Sequence, residues 1–309
     1  MPGESTSDLQ AIVRARLLQV EARQGRRGTR PRLEVDLLGP VQVRWRGRPV
    51  PSGGANADAL LALLALRGGL RGREEVSTEL WPEGGGASLA WLRQAIWRLR
   101  RAIGDGADQV LLAGHDRLGL APELDLAVDV AAFEAALAAR PSQPVRAVTL
   151  YRGDLLEGSA LECFARDRER LADLYENALG AVASMCFARG DLDGAEQAAT
   201  RLVGRDPLRE DAHALLITIH GLRGERSRVV RRYRRLRGLL AQELAVAPLP
   251  ETELAYAAAL EAAERRSRQR VADGAVAVAI EDTEALGTLP RSGVKVGPAA
   301  RRDARETTG

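Results

Sequence analysis

The sequence is poor in the residues that build most catalytic and metal sites. Its 309 residues include two cysteines and three histidines, and aromatic residues make up 4%. Cys163 and Cys186 have no CxxC spacing, so we interpret both as reduced core residues. His213 and His220 lie seven positions apart and could in principle approach Cys186, but we interpret them as buried or interface histidines. No ligand cluster is indicated, and we expect no metal and no cofactor.

Lysine is almost absent, because Lys295 is the only one. It lies in SGVKVG, so a G-x-x-x-x-G-K-[ST] phosphate loop is excluded. The sequence also lacks GxSxG, HExxH and a catalytic Cys–His signature. Gly84–Gly86 precedes a helical pattern, where free backbone amides attract anions, but no nucleotide-binding residues accompany it and we interpret it as a turn. We therefore expect no enzyme.

Long hydrophobic runs are missing as well. The longest, Ala59–Leu66, is far shorter than a bilayer span, and acids and arginines interrupt residues 1–20 where a secretory signal would be apolar. We expect a cytoplasmic protein that does not associate with membranes. Residues 1–30 are rich in arginine and predict a disordered basic arm. Residues 265–309 lose the helical pattern and predict a disordered tail.

The most informative stretch is the basic amphipathic segment Leu80–Gly104. At about 100° per residue, its apolar side chains form one seam, made by Leu89, Leu92, Ile96, Leu99 and Ile103. No acid interrupts it between Glu83 and Asp105. Ser88 can cap this helix and Gly104 can end it. A net charge of +3 is too small to indicate a nucleic-acid binder, so the location of the charge matters more than its total.

The opposite side of this helix predicts a DNA-binding surface. We assign the groove-facing positions to Arg93, Gln94, Trp97, Arg98 and Arg101. Arg98 or Gln94 is best placed to read base edges, and Arg101 to bind phosphate. Arg100 turns back toward the core seam, so we interpret it as structural or as a flanking phosphate contact. For such a helix taken alone, a solvated arginine face is the alternative.

The surrounding pattern predicts a winged helix-turn-helix. Strand-like alternation at residues 33–38, 41–45 and 49–50 indicates an antiparallel meander. Helical patterns follow at Ala55–Arg67 and Arg73–Leu80, so the basic helix is the third. Residues 110–113 and 118–121 then flank GHDR, which predicts a hairpin, the wing, with Arg117 at its tip. In such a fold the third helix enters the major groove and the wing contacts the adjoining backbone or minor groove.

The second half predicts stacked helix pairs. Gly190 and Gly224 lie 34 positions apart, which is the tetratricopeptide period. The predicted helices are Arg166–Arg189 with Asp191–Arg205, Leu208–Arg223 with Glu225–Leu244, and a closing helix at Glu251–Glu264. Such pairs bury their apolar faces by stacking into a right-handed superhelix with a groove.

One helix of this half is unusually basic. Residues Arg226–Arg237 include seven arginines, with Val229, Val230, Tyr233 and Leu236 on the apolar side. A second nucleic-acid surface is one interpretation. We favour the other, an exposed flank that meets acids such as Glu210 and Asp211 or the acidic patch of a partner.

In this order the motifs resemble the Streptomyces antibiotic regulatory protein family. The resemblance rests on LLGPVQV, ALLALLAL, ELWP, LRQAIWRLRRAIG and LDLAVDVAAFEAAL, and continues through LYRGDLLEG, CFARDRERL, DPLREDAH, YRRLRGLLAQEL and APLPET. It implies an OmpR-like winged helix-turn-helix at residues 31–124 and an all-helical bacterial transcriptional activation domain at residues 125–264. The fold class is thus mainly α, with an α+β winged domain first. SGGANAD departs from the family pattern, which would place a basic residue before the first helix, and Trp91 and Trp97 are bulky for a recognition helix.

The resemblance implies a sequence-specific transcriptional activator, typically of secondary-metabolite genes. Its partners would be double-stranded DNA, bound at promoter direct repeats as tandem copies or a homodimer, and RNA polymerase. The alternative hypothesis is a tetratricopeptide adaptor whose winged domain binds protein instead of DNA. The two tryptophans and the uncharged start of SGGANAD motivate that alternative.

Overall fold

The structure, a computed structural model, describes residues 32–287, with side chains described through residue 272. The basic arm predicted over residues 1–30 and the predicted tail beyond Gly287 lie outside this range. By its contacts the chain divides into two compact units between Arg205 and Asp206.

The first unit contains most of the elements. In chain order they are β1 (Arg32–Asp36), β2 (Gln42–Trp45), β3 (Arg48–Val50), α1 (Ala55–Arg67), β4 (Arg71–Gly72), α2 (Arg73–Leu80), α3 (Ser88–Ile103), α4 (Ala107–Val110), β5 (Leu111–Ala113), β6 (Arg117–Leu120), β7 (Asp125–Val128), α5 (Asp129–Ala138), α6 (Pro144–Leu150), α7 (Ala165–Ala188) and α8 (Leu192–Arg205). Short 3-10 helices lie at Pro82–Ala87 and Glu162–Phe164.

A four-stranded sheet opens the unit in the order β3-β2-β1-β7. The antiparallel pairing of β1 with β2 and of β2 with β3 confirms the predicted meander. Leu33 and Val35 of β1 alternate into the core, as period-two patterning requires. The sequence did not reveal β7, which pairs parallel to β1 with Arg32 opposite Asp125. Parallel pairing of chain-distant strands leaves no hairpin turn to detect.

Three helices, α1, α2 and α3, lie at the predicted positions. α1 is buried on most sides from Ala57 to Leu64, as expected for a central helix. α3 packs against both α1 and α2. Gly104 ends α3 with a positive φ of 68° and donates its amide to the Arg100 carbonyl, 2.9 Å away. The predicted Ser88 cap is wrong. Ser88 is already the first helical residue, and its hydroxyl donates to the Gly85 carbonyl of the preceding 3-10 turn at 2.8 Å.

The wing is a three-stranded sheet in the order β4-β6-β5. Its turn is Gly114–Asp116, closed by a 2.8 Å hydrogen bond from the Gly114 amide to the Arg117 carbonyl. Arg117 is therefore the first residue of β6 and not the tip of the hairpin, which corrects the prediction. The reason is that β6 begins one residue earlier than the apolar alternation indicates.

After the wing the chain remains joined to the first sheet. β7 pairs with β1, and α5, α6, α7 and α8 follow in sequence, each packed on its neighbour over α5–α6, α6–α7 and α7–α8. The winged part and the first helix pair, α7 with α8, thus belong to one compact unit. The predicted domain boundary between residues 124 and 125 stays a prediction.

The second unit has three helices in its described part. They are α9 (Glu210–Leu222), α10 (Arg226–Glu243) and α11 (Pro250–Gly287). Ile217, Val229, Tyr233 and Ala259 form its core cluster. The bounds of both helix pairs agree with the predicted ones to within two residues, while the superhelical stacking of the pairs stays a prediction. The closing helix was predicted too short: α11 runs past Glu264 to Gly287, so residues 265–287 of the predicted tail are helical.

Two of the histidines are more deeply buried than the two cysteines. His213 and His220 are buried, as interpreted from the sequence. Cys163, in the short 3-10 helix before α7, and Cys186, in the last turn of α7, are free thiols of intermediate burial, which corrects the prediction that both are core residues. Within residues 32–287 we find no group of three or more side chains suited to a metal ion. None of the helices in the same range is long and apolar enough to cross a membrane.

Candidate nucleic-acid interface

Helix α3 has one buried and one exposed side, as its sequence predicts. Leu92, Ala95, Ile96, Leu99 and Ile103 face the core. Leu89, predicted to complete this seam, is only half-buried because it lies at the edge beside the wing. The opposite side faces solvent, which leaves a polar helix surface free to contact a ligand.

All six residues predicted to contact DNA are exposed, and five of them share α3. They are Arg93, Gln94, Trp97, Arg98, Arg101 and, on β6, Arg117. In the part of the chain that the structure describes, no carboxylate forms an ion pair with these arginines. Arg100 differs, since its guanidinium lies 3.2 Å from Asp108. This ion pair agrees with the interpretation of Arg100 as a structural residue. The positive charge of the exposed face comes from Arg93, Arg98 and Arg101.

The two tryptophans of α3 have different surroundings. Trp91 packs edge-on against Trp81, with ring centroids 6.1 Å apart, and is 39% exposed. Trp97 is 57% exposed. The Arg101 guanidinium lies 5.2 Å from the centroid of the Trp97 ring, a distance typical of cation–π contact. Trp91 is thus part of the packing around the 3-10 turn, whereas Trp97 belongs to the exposed cationic face.

Two concavities flank this exposed face. One, of about 440 Å³, is lined by Pro51–Gly53 of the β3–α1 loop and by Trp97, Arg98 and Arg101. The other, of about 750 Å³, lies beside the wing and is lined by residues that include Arg73, Leu89, Arg93 and His115. The face of α3 therefore stands between two depressions, with Arg93 on the wing side and Arg98 on the loop side.

The wing is held against the start of α2 by Arg73. Its Nε donates to the Gly114 carbonyl at 3.0 Å, and its amide donates to the Asp116 carbonyl at 2.9 Å. Nothing in the sequence pattern distinguishes Arg73 from other helix-start arginines, so this role was not predicted. Both bonds reach the wing turn, so Arg73 ties the turn that precedes Arg117 to the start of α2.

The β3–α1 loop carries no basic side chain, as its sequence indicates. The Ser52 hydroxyl donates to the Asp58 carboxylate and accepts a 3.0 Å hydrogen bond from the Gly54 amide. This loop lies beside Arg98, and Asp58 is the acid in the first turn of α1. The positive charge on this side is therefore supplied by α3 alone.

A buried carboxylate joins the winged part to the helices that follow. Asp129 accepts hydrogen bonds from the amides of Leu37 and Leu38 at 2.8 and 2.9 Å, and from the Val130 amide at 2.8 Å. Burial raises its pKa, against the opposing effect of these amides. The Arg152 guanidinium lies 3.6 Å from the carboxylate. Sequence reasoning missed this joint because the donors lie about 90 residues away along the chain.

Further contacts strengthen the joint within the first unit. Arg67 at the end of α1 donates to the Asp167 carboxylate of α7 at 2.7 Å, and this hydrogen bond is the main cause that raises the pKa of Arg67. Leu38 pairs with Leu155 in an isolated β-bridge. The exposed face of α3 and the first helix pair are therefore parts of one folded unit.

The basic helix α10 has its own local partners. Arg226 lies 3.8 Å from Glu264, and Arg228 lies 3.3 Å from Glu225. Of the acids proposed from the sequence to meet this helix, Asp211 pairs with Arg209 at 2.9 Å. Glu210 accepts hydrogen bonds from the Leu249 amide and the Thr252 hydroxyl, each 2.8 Å long. These contacts of the two acids therefore lie outside α10, and Arg226 and Arg228 meet Glu264 and Glu225 instead.

Comparisons with known proteins identify the second part of the chain. The family described as bacterial transcriptional activator domain matches residues 124–260. The regulatory protein AfsR of Streptomyces coelicolor is 31% identical over 230 residues, which are 71% of this chain and 23% of AfsR. The transcriptional regulatory protein EmbR of Mycobacterium tuberculosis is 33% identical over 242 residues, which are 71% of this chain and 61% of EmbR. The chain thus spans less than two thirds of these relatives.

A solved structure extends the comparison to the fold. The chain is similar to Mycobacterium tuberculosis EmbR, solved in complex with a low-affinity phosphopeptide, with a TM-score of 0.56 and 26% identity, over 80% of this chain and 71% of that one. This similarity confirms the predicted fold class, mainly α with a strand-containing winged part first. With the activator-domain match over residues 124–260 and the similarity to AfsR, it makes the chain similar to regulatory proteins that carry this domain.

Proposed function

We propose that this chain is a sequence-specific DNA-binding transcriptional activator. One observation carries the proposal: the exposed face of α3 presents three arginines without ion-pair partners among the described residues, flanked by the wing on one side and a loop on the other. A helix of this size fits the major groove, and unpaired guanidinium groups bind phosphates and guanine edges. The relatives AfsR and EmbR are named as regulatory proteins, which supports the same function.

The roles follow from position on α3. Gln94 and Arg98 lie on the exposed face and have side chains that pair with adenine and guanine edges, respectively. Arg101 lies one turn after Trp97 and binds phosphate at the groove edge. Arg93 borders the wing-side concavity, and Arg117 opens the wing strand, so both contact the neighbouring backbone. Together these residues position α3 and read the sequence.

The finer function rests on the resemblance of the sequence motifs to the Streptomyces antibiotic regulatory protein family. That resemblance implies binding at promoter direct repeats, target genes of secondary metabolism and contact with RNA polymerase, and we include all three in the proposal. Binding as tandem copies or as a homodimer belongs to the same proposal.

Footprinting of the full chain on the promoters that flank its own gene tests DNA binding. A protected segment, bound more tightly than random duplex, supports the proposal. The matched control pair is Arg98→Ala and Arg146→Ala, since Arg146 is also exposed but lies on α6. Loss of the footprint in the first variant alone assigns the effect to α3. Equal affinity for every duplex would overturn sequence-specific binding.

The β3–α1 loop favours a second candidate, a protein-binding adaptor. This loop lacks basic side chains, and its Ser52, which lines the concavity beside Arg98, is hydrogen-bonded to the Asp58 carboxylate. A salt titration with random duplex separates the two functions. Several phosphate contacts give a steep linear fall of log K with log salt, because each contact releases condensed counterions. An adaptor gives almost no slope.

A further inference from the structure

The exposed face of α3 has an apolar side chain near its centre. Trp97 is 57% exposed. At 3.6 residues per turn, Arg93 lies one turn before it and Arg101 one turn after it on the same face, with Gln94 beside it. A single exposed apolar residue needs no special explanation. Trp97, however, lies among the residues proposed to enter the major groove, so the chemistry of its ring bears on which bases are bound there.

Arg101 holds the indole in place. Its guanidinium lies over the ring, 5.2 Å from the centroid, and cation–π attraction restrains the ring at that position. The guanidinium covers part of the ring, and the remaining exposed surface, largely carbon, faces outward. The pair thus presents a flat apolar surface next to a charge that binds phosphate.

In the major groove one base offers an apolar group at its edge. Thymine presents its C5-methyl there, whereas guanine and adenine present acceptors or donors, and cytosine an amino donor. Contact between an indole and a methyl removes apolar surface of both from water. Hydrogen-bonding edges facing the same ring would lose their water without gaining a partner.

From this juxtaposition we propose that Trp97 is a specificity-determining residue that recognises thymine C5-methyl groups in the major groove, with Arg101 as its positioning residue. The proposal rests on the proposed DNA-binding function and names a ligand group for it.

Single replacement of thymine by deoxyuridine tests the proposal. The probe is a fluorescent duplex that covers the footprinted segment, and the full chain is titrated by anisotropy. Deoxyuridine keeps every hydrogen-bonding group of thymine and removes only the methyl. We expect the dissociation constant to rise about threefold to tenfold at one or two positions, as expected for one buried methyl group. At the remaining thymines it should not change.

Variants assign the effect to the side chain. Trp97→Ala should bind the natural duplex more weakly by a similar factor and should no longer distinguish thymine from deoxyuridine at those positions. Trp97→Phe keeps an aromatic ring and should retain part of the discrimination. Arg101→Gln should reduce the discrimination as well as the salt dependence. Since Trp97 is mostly exposed, circular dichroism and thermal melting should show the fold of each variant intact.

The outcomes separate this proposal from the function on which it rests. A footprint without deoxyuridine sensitivity, or one with no thymine in the groove that α3 enters, overturns methyl recognition and leaves DNA binding standing. Sensitivity that persists in Trp97→Ala assigns the methyl contact to another residue and overturns the proposal too. Absence of any preferred duplex overturns both.

Discussion

Removal of the Asp129 carboxylate should destabilise the first unit more than any single ion pair on its surface. The side chain is 5% exposed and binds the amides of Leu37 and Leu38, residues that are themselves 0% and 1% exposed. Asp129→Ala removes the acceptor of three amides, those of Leu37, Leu38 and Val130, and a buried donor left unpaired costs about 1–3 kcal/mol. Partial entry of water lowers the total, so we expect a loss of about 2–4 kcal/mol.

Urea unfolding followed by circular dichroism measures this loss. With an m-value of about 2 kcal/mol/M, the transition of the first unit should move down by roughly 1–2 M. Asp125→Ala is the matched control, because Asp125 is half exposed and has one 3.8 Å pair with Arg32. Exposed pairs contribute about 0–1 kcal/mol. Equal midpoints for Asp129→Ala and the control would refute the assignment of Asp129 as the joint.

Three further changes have defined outcomes. Gly119→Ala places a Cβ against the Gly69 carbonyl oxygen, so the wing must shift, and we expect about 1–3 kcal/mol of destabilisation by thermal melting; an unchanged melting temperature would contradict this. Arg98→Ala should cost about 1–3 kcal/mol on the specific duplex if the guanidinium reads a base, whereas an equal loss on random duplex identifies a phosphate contact. Burial raises the pKa of Asp129, so the folded state binds this proton more tightly than the unfolded state does. The stability of the native chain relative to Asp129→Asn should therefore increase as the pH falls through the folded pKa toward 3.8, as checked by urea midpoints at several pH values, and a pH-independent difference would contradict it.

The helices could be predicted because the information that defines them is local. Apolar periodicity sets the face of each helix, and Gly68 and Gly104, both with positive φ, end α1 and α3 at the predicted residues. The exposure of the α3 face follows from the same periodicity, which is why the sequence could predict which side chains of α3 lie in solvent. The prediction that Leu89 is buried was wrong, because periodicity places a residue on a face of the helix but does not tell whether a neighbouring element covers it.

The unpredicted features depend on contacts between distant parts of the chain. β7 is four residues long and pairs with a strand about 90 positions earlier. Arg73 acquires its role only when the wing turn folds back onto α2. The extension of α11 beyond Glu264 was missed because Arg265–Arg270 disrupts the amphipathic pattern, although arginine itself is a good helix former.

The joint at Asp129 has a consequence for how an activator of this design would work. If the chain binds DNA through α3, as we propose, the duplex is held by a unit that also contains α7 and α8. Asp129 ties the winged part to α5 within this unit, and the Arg67–Asp167 pair ties it to α7. The position of the operator along a promoter therefore fixes the position of this first helix pair. If transcription depends on a contact made by α7 or α8, moving the operator by half a helical turn should abolish activation while binding persists, since the surface then faces the opposite side of the duplex. Asp129→Ala should make activation less sensitive to operator spacing, because it loosens the joint between the winged part and the helices that follow.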